Sequence, residues 1–302
     1  LKDDVATRVG GSKVLEELGT VNKFILGGSA DLAASTKQII SSDYYSSENT
    51  TGQSLEFGIR EHAMAAITNG INLHSNLFAY CSTFLVFSDY MRPSIRLASL
   101  MKLNSSFIFT HDSIYLGEDG PTHQPIEHLM SLRLIPDVDV IRPSNSLELI
   151  HSYRFMFTNT KSTKILSLSR QNSKFLNYEV SFKDFEKGAF EIESGKDLTI
   201  FATGTEVELA LATKKELSEL SVQIISAPIL NRVNKEFIKS LVTSDKLFTL
   251  ELGRSVGWST YLNQITKSFS IDTFGKSAPQ NDLMESFKFT PQSIAEEIRN
   301  NL

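Results

Sequence analysis

The chain has 302 residues, 41% hydrophobic and 22% charged, enough to bury a core and, by length, to form about two domains. Its net charge of -5 excludes an overall basic footprint for nucleic acid and leaves room only for a local basic pocket around a small anion. The single cysteine, Cys81, excludes an intrachain disulfide and a thiolate metal cluster, so a reducing, cytoplasmic setting is expected.

In chain order, residues 23–26, 78–81, 106–110, 138–141 and 164–168 read as short apolar strands. Between them, 59–73, 84–102, 125–134 and 146–158 carry apolar residues at three- and four-residue spacing, as covering helices do. This alternation predicts a parallel sheet wrapped by helices. The most apolar run, 78–87, is broken by Ser82 and Thr83 and falls far short of the roughly 20 residues of a membrane span, so no membrane partner is expected. The chain begins at Leu1 with no charged-then-apolar leader, which suggests a processed or truncated start. Ser- and Thr-rich residues 35–51 predict a long surface loop.

The pattern lapses into a polar, aromatic-dotted stretch over 171–187, and the domain boundary is set there: a first domain over 1–180 and a smaller one over 181–302. The second contains strand-like runs at 198–203, 222–227 and 246–250 and ends in a helix over 291–301. The expected fold class is therefore α/β, two doubly wound domains with mostly parallel sheets. Thr205 with Glu208 fits a capping box, and a plain cap is preferred to a phosphate site because the glycine pattern of a dinucleotide fold is absent.

The densest polar feature runs from Thr110 through His111, Asp112, Asp119 and His123 to Pro125, after one strand and before a helix. Ligands of open α/β sheets bind at that end of a strand. From spacing alone three readings stay open: a turn-rich loop, acid/base chemistry, or a metal held by His111, Asp112, Asp119 and His123. Glu61 falls early in a helix, where the dipole favours a carboxylate and a solvated first-turn acid is the plain reading. Small neighbours Ala63, Ala65 and Ala66 would let that helix pack closely and desolvate the glutamate, raising its pKa. Phe84, Phe87 and Tyr90 recur every three residues, a stripe that periodicity alone assigns to core. Arg8 and Arg170 are isolated charges that, with Ser35 and His111, would make a hydrogen-bonding clamp for a phosphate group.

The segments 26–33, 58–61, 82–84, 110–125 and 168–172, in this order, resemble transketolase, and the resemblance covers essentially the whole chain. It implies the pyrimidine-binding domain of that family followed by its C-terminal domain; a deoxyxylulose phosphate synthase and the β subunits of 2-oxoacid dehydrogenases share the fold without the long 111–125 signature. It further implies two-carbon ketol transfer between sugar phosphates with thiamine diphosphate. Glu61 matches the glutamate that hydrogen-bonds the aminopyrimidine and favours its imino tautomer. Phe84, Phe87 and Tyr90 match the aromatic wall of the cofactor, with Asp31 in the cofactor region. Asp119 matches a contact to a substrate hydroxyl, and His123 one near the substrate carbonyl. Arg8, Ser35, His111 and Arg170 match the substrate-phosphate clamp. Ala34 and Ala63 depart from the proline and glycine common in relatives. The Mg2+ or Ca2+ and the diphosphate belong, in the family, to a further domain with a Gly-Asp-Gly motif; Gly117-Glu118-Asp119-Gly120 and Asn145 do not reproduce it. No metal ligand is therefore assigned here, and the expected partners are a second copy and a diphosphate-binding domain or subunit. A non-catalytic dimerising or regulatory subunit is the alternative.

Overall fold

The computed structural model describes residues 4–158 and 162–302. The first part builds a six-stranded sheet from β1 (Ile25–Ser29), β2 (Ser54–Glu56), β3 (Phe78–Phe84), β4 (Ser106–Thr110), β5 (Val138–Ile141) and β6 (Thr163–Leu168). Their order is β2-β1-β3-β4-β6-β5, and every neighbouring pair is parallel. Parallel neighbours need crossover connections. These are made by α2 (Ala33–Thr36), α3 (Glu61–His74), α4 (Ser88–Leu100), α5 (His128–Arg133) and α6 (Ser146–Thr158), while α1 (Thr7–Val21) precedes β1 and packs against α6. Alternate residues of β4 enter opposite cores: Phe107 and Phe109 pack with Met64 of α3 and Ile95 of α4, and Ile108 with Leu15 of α1 and Met156 of α6. A strand buried on both faces carries consecutive apolar residues, here Phe107, Ile108 and Phe109, which is why 106–110 is so legible in the sequence.

The second part carries α7 (Phe182–Phe185), β7 (Phe190–Glu193), β8 (Leu198–Ala202), α8 (Glu206–Glu216), β9 (Val222–Ser226), α9 (Lys235–Leu241), β10 (Leu247–Leu250), α10 (Trp258–Tyr261), β11 (Ile265–Phe269), α11 (Gln280–Ser286) and α12 (Pro291–Arg299). Its sheet runs β11-β10-β8-β9-β7, parallel except for β7 against β9. The expected class, α/β with two mostly parallel sheets, is the observed one.

Three local readings change. The 84–102 periodicity is not one helix: Phe84 ends β3, Leu85–Phe87 is a 3-10 turn, and α4 begins at Ser88. The capping box at Thr205 does not form; its hydroxyl lies 3.0 Å from the Glu206 carboxylate, and Glu208 accepts from the Lys174 amide at 2.8 Å. The 35–51 loop begins inside α2, which ends at Thr36, and is pinned by a bridge from Tyr44 to Ser54.

A buried ionic network joins the two sheets. Arg142, directly after β5, donates from Nε to Asp112 at 2.9 Å, from Nη1 to the Thr203 carbonyl at 3.1 Å, and to both oxygens of Glu206. Arg133 makes a two-pronged pair with Glu251 at 2.8 and 2.7 Å, and the Thr203 hydroxyl donates to Glu251 at 2.6 Å. Burial works to lower the Arg142 pKa, but Glu206 and Asp112 overcome it and hold the guanidinium charged. Burial likewise works to raise Glu251, and Arg133 outweighs it, leaving that carboxyl below its usual range.

Candidate active site

Every site residue read from the sequence, Arg8 at the start of α1 and Phe84 at the end of β3 apart, lies after a strand of the first sheet, at its carboxyl edge, where open α/β sheets take their ligands. Asp31 and Ser35 follow β1, Glu61 follows β2, and Phe87 and Tyr90 continue from Phe84 at the end of β3. His111, Asp119 and His123 follow β4, and Arg170 follows β6. Topology thus gathers positions scattered along the first part of the chain onto one rim.

The basic group is assembled by backbone contacts. Arg8, in the first turn of α1, donates from Nη1 to the Ser35 carbonyl and from Nε to the Arg170 carbonyl at 3.4 Å. Arg8 is half-buried, and its pKa is lowered by that burial and then by Arg170. Among the described residues neither guanidinium forms an ion pair with a carboxylate. His111 is 3% exposed and adopts a left-handed backbone, φ 61°, directly after β4. Its Nδ1 lies 2.8 Å from the Thr110 hydroxyl, and its ring stacks on Phe84 at 3.7 Å between centroids. Burial, then Arg8 and Arg170, push its pKa down to about 3, so the ring is neutral at physiological pH.

The aromatic residues form a ladder rather than one helical face. Phe84 stacks on Phe87 at 5.8 Å and 11° between planes, and Phe87 on Tyr90 at 6.1 Å and 22°. Phe84 is buried and Tyr90 is 63% exposed, so the ladder runs from the core out to the surface. His123 meets it edge-on, 6.3 Å from Phe84 and 5.6 Å from Phe87, with Nδ1 2.9 Å from the Thr122 hydroxyl. The core reading of the stripe therefore holds for Phe84 and fails for Tyr90.

Glu61 opens α3, is half-buried, and has no hydrogen-bond partner among the described residues. α3 is locked to α4 by Asn69 Nδ2 donating to the Ser94 carbonyl at 2.8 Å and by Ser94 Oγ donating to the His62 carbonyl at 3.4 Å, which sets the start of α3 beside the helix that bears Tyr90. Of the small residues after Glu61, Ala65 is buried, Ala63 half-buried and Ala66 exposed. Asp31 and Asp119 are exposed and make no hydrogen bond within the described residues; Asp31 also has a left-handed backbone, φ 58°.

One functional-looking residue was missed. Gln124, 2% exposed, donates from Nε2 to the Gly117 carbonyl at 3.0 Å and to the Lys276 carbonyl at 2.9 Å, fastening the loop that carries Asp119 and His123 to the second part of the chain. A Cβ at Gly275 would collide with Gln124 Oε1, so glycine is required for this approach. Ser277 adds a bond to the Glu118 carbonyl at 2.5 Å. The adjacency of Gln124 to His123 was its only sequence signal.

The metal reading of the 111–123 block is not supported. Asp112 is committed to Arg142, and His111, Asp112, Asp119 and His123 do not converge on one point among the described residues. Asn145 accepts from the amides of Leu147 and Glu148 at 3.1 and 3.0 Å, so it caps α6.

A doubly wound parallel sheet with its polar rim at the strand ends, followed by a smaller, mostly parallel sheet, defines a two-part α/β protein. Residues 3–174 match the family model described as transketolase, pyrimidine binding domain, and residues 188–290 the transketolase-like TK C-terminal domain. A transketolase of Staphylococcus epidermidis is 38% identical over 307 aligned residues, covering 97% of this chain and 46% of that protein. The solved transketolase from Leishmania mexicana superposes with a TM-score of 0.94 at 32% identity, covering 99% of this chain and 46% of that one. A second solved structure, of a split-gene transketolase described as an inactive beta4 tetramer, shares the fold with a TM-score of 0.80 at 20% identity, over 99% of this chain and 98% of that one. The chain belongs to the transketolase family, and it spans about half the length of the Staphylococcus and Leishmania relatives. No helix of the described residues is long and apolar enough to cross a membrane.

Proposed function

We propose that this chain, read as a pyrimidine-binding domain over 1–180 and a C-terminal domain over 181–302, supplies half of a transketolase active site. The reaction is reversible transfer of a two-carbon ketol unit between a ketose phosphate and an aldose phosphate. The observation that carries this reading is the pair Arg8 and Arg170, which no carboxylate among the described residues neutralises, beside the buried neutral His111 at the carboxyl edge of the sheet. Two uncompensated guanidiniums favour a dianionic group, and forked N–H donors suit a phosphate. With Nδ1 accepting from Thr110, the His111 ring presents Nε2–H to the same oxygens.

The aromatic ladder and Glu61 fit an aminopyrimidine. Phe87 and Tyr90 offer a half-exposed ring face, and the carboxylate opening α3 is free to bond a ring nitrogen. When bound, thiamine diphosphate supplies the carbanion chemistry; the chain's own residues set tautomer and geometry. Glu61 holds a proton at the pyrimidine. His123 and Asp119 face the substrate, His123 as hydrogen-bond donor or acceptor to oxygen and Asp119 as an acceptor for a hydroxyl. The Asp31 carboxylate lies on the same rim, toward the cofactor. The diphosphate and its Mg2+ or Ca2+ are held by a domain or subunit outside these 302 residues, in a cytoplasmic dimer serving the pentose phosphate pathway.

The exposed apolar residues Ile59, Ile67, Leu97, Leu100 and Met101, on and beside α3 and α4, support a partner surface next to Glu61. The split-gene relative is described as a tetramer that is inactive, which suits a half-enzyme that needs its complement. Combining this chain with a diphosphate-binding half and assaying ketol transfer is the test. Activity that appears only on mixing supports the proposal; mixtures that bind cofactor yet never turn over favour a dimerising or regulatory subunit.

A further inference from the structure

Asp89, Glu127 and His128 lie outside the residues assigned above. Asp89 is in the first turn of α4, Glu127 immediately precedes α5, and His128 opens it. They are the one group among the described residues whose His and carboxylate atoms gather as closely as a metal site requires, one ligand atom from each lying within 4.8 Å of the others. The two carboxylates are exposed, and such acids are ordinarily solvated. The imidazole is different: it is 4% exposed, and neither ring nitrogen has a hydrogen-bond partner among the described residues. Its Nε2 is 3.1 Å from Asp89 Oδ2 without making a hydrogen bond to it, and its Nδ1 is 3.9 Å from Glu127 Oε2, too far for one. A buried polar ring left unsatisfied is costly, and both carboxylates bordering it ion-pair with nothing else among the described residues. The nearby guanidinium of Arg92, one turn on from Asp89, is occupied by the carbonyl and hydroxyl of Ser131 at 2.9 and 3.1 Å.

We propose that Asp89, Glu127 and His128 bind one divalent transition cation, of the Zn2+ or Mn2+ class, at the seam between α4 and α5. Imidazole with two carboxylates suits these borderline ions, with water completing the shell, whereas Mg2+ prefers oxygen throughout. Ligand atoms about 2.1 Å from a tetrahedral ion sit roughly 3.4 Å apart, near the observed separation of Nε2 and Oδ2, and the exposed carboxylates can swing to close the rest. The ion ties the start of α4, and hence the neighbouring Tyr90, to the helix that follows the His123 loop. This inference does not depend on the transketolase reading.

The chelator-treated chain titrated with ZnCl2, and separately with MnCl2 and MgCl2, in a calorimeter tests it. One Zn2+ per chain and no saturable Mg2+ binding are expected. Glu127→Gln and Asp89→Asn, at exposed positions where folding is preserved, each lower the Zn2+ affinity roughly 10- to 100-fold, and His128→Gln does so where its melting curve shows a folded chain. Amide exchange over residues 86–92 slows on adding Zn2+ to the unaltered chain only. Absence of saturable binding overturns the proposal, as does unchanged affinity in the Glu127 and Asp89 variants with loss in a His62→Gln, His74→Gln double variant, which would place the ion on exposed surface histidines.

Discussion

At the seam between the sheets, Arg133, Arg142, Asp112, Glu206 and Glu251 are all buried, and each charge has its opposite within hydrogen-bond reach. At the carboxyl edge of the first sheet, among the described residues, Arg8 and Arg170 have no carboxylate, Glu61 and Asp119 have no donor, and Tyr90 has no cover. The seam consumes its charges in holding two halves together; the edge leaves its charges unspent. An Asp one residue from His111 thus belongs to structure, and His111 itself to the rim.

Arg142→Ala would strand Asp112 and Glu206 as buried carboxylates and should cost about 3–5 kcal/mol in a denaturant titration. Arg8→Ala, by contrast, should leave that titration nearly unchanged and weaken binding of a sugar phosphate by about 1.5–3 kcal/mol, the worth of a charge-assisted hydrogen bond, read by calorimetry or as a raised KM in the reconstituted enzyme. Gln124→Ala lies between the two kinds: loss of its bonds to Gly117 and Lys276 should cost about 1–3 kcal/mol and speed amide exchange over 117–123. At the outer end, Tyr90→Ala should change stability by no more than about 0.5 kcal/mol while weakening cofactor binding.

His111 sharpens the contrast through pH. The unfolded chain takes up a proton near pH 6.5, the folded chain only at about 3. Between those values the unfolded state binds more protons, so this group's contribution is intact above about pH 6.5 and stability falls as pH drops toward 3. His111→Gln should flatten that part of the stability profile. With its ring neutral, phosphate affinity between about pH 6 and 8 should track the phosphate's own ionisation rather than a histidine titration.

What the sequence disclosed follows the same division. β4 and β5 are read to the residue because the buried apolar residues Phe107, Ile108 and Phe109 of the one and Val138, Val140 and Ile141 of the other stand out against polar neighbours. The edge strands β2 and β11 escape notice, being short or half-exposed. α1 escapes because Gly10, Gly11 and Gly19 argue locally for turns; a Cβ at Gly11 would come within 2.6 Å of the Tyr153 hydroxyl, so packing against α6 requires what propensity discourages. The Phe84 stripe shows three-residue spacing because a strand end, a 3-10 turn and a helix start follow in succession, and the 3-10 turn repeats every three residues. Of the candidate site, resemblance supplied the roles and topology supplied the convergence. The pairings that remove Asp112 from it and bring Gln124 into it span 30 and 152 residues, beyond any local pattern.

In the proposed half-site, Glu61 serves a cofactor ring held jointly with another domain. Glu61→Ala and Glu61→Gln, each mixed with the diphosphate-binding half, should assemble and melt as the unaltered chain does while ketol transfer falls by at least about a hundredfold. Variants that assemble and retain full turnover would contradict it.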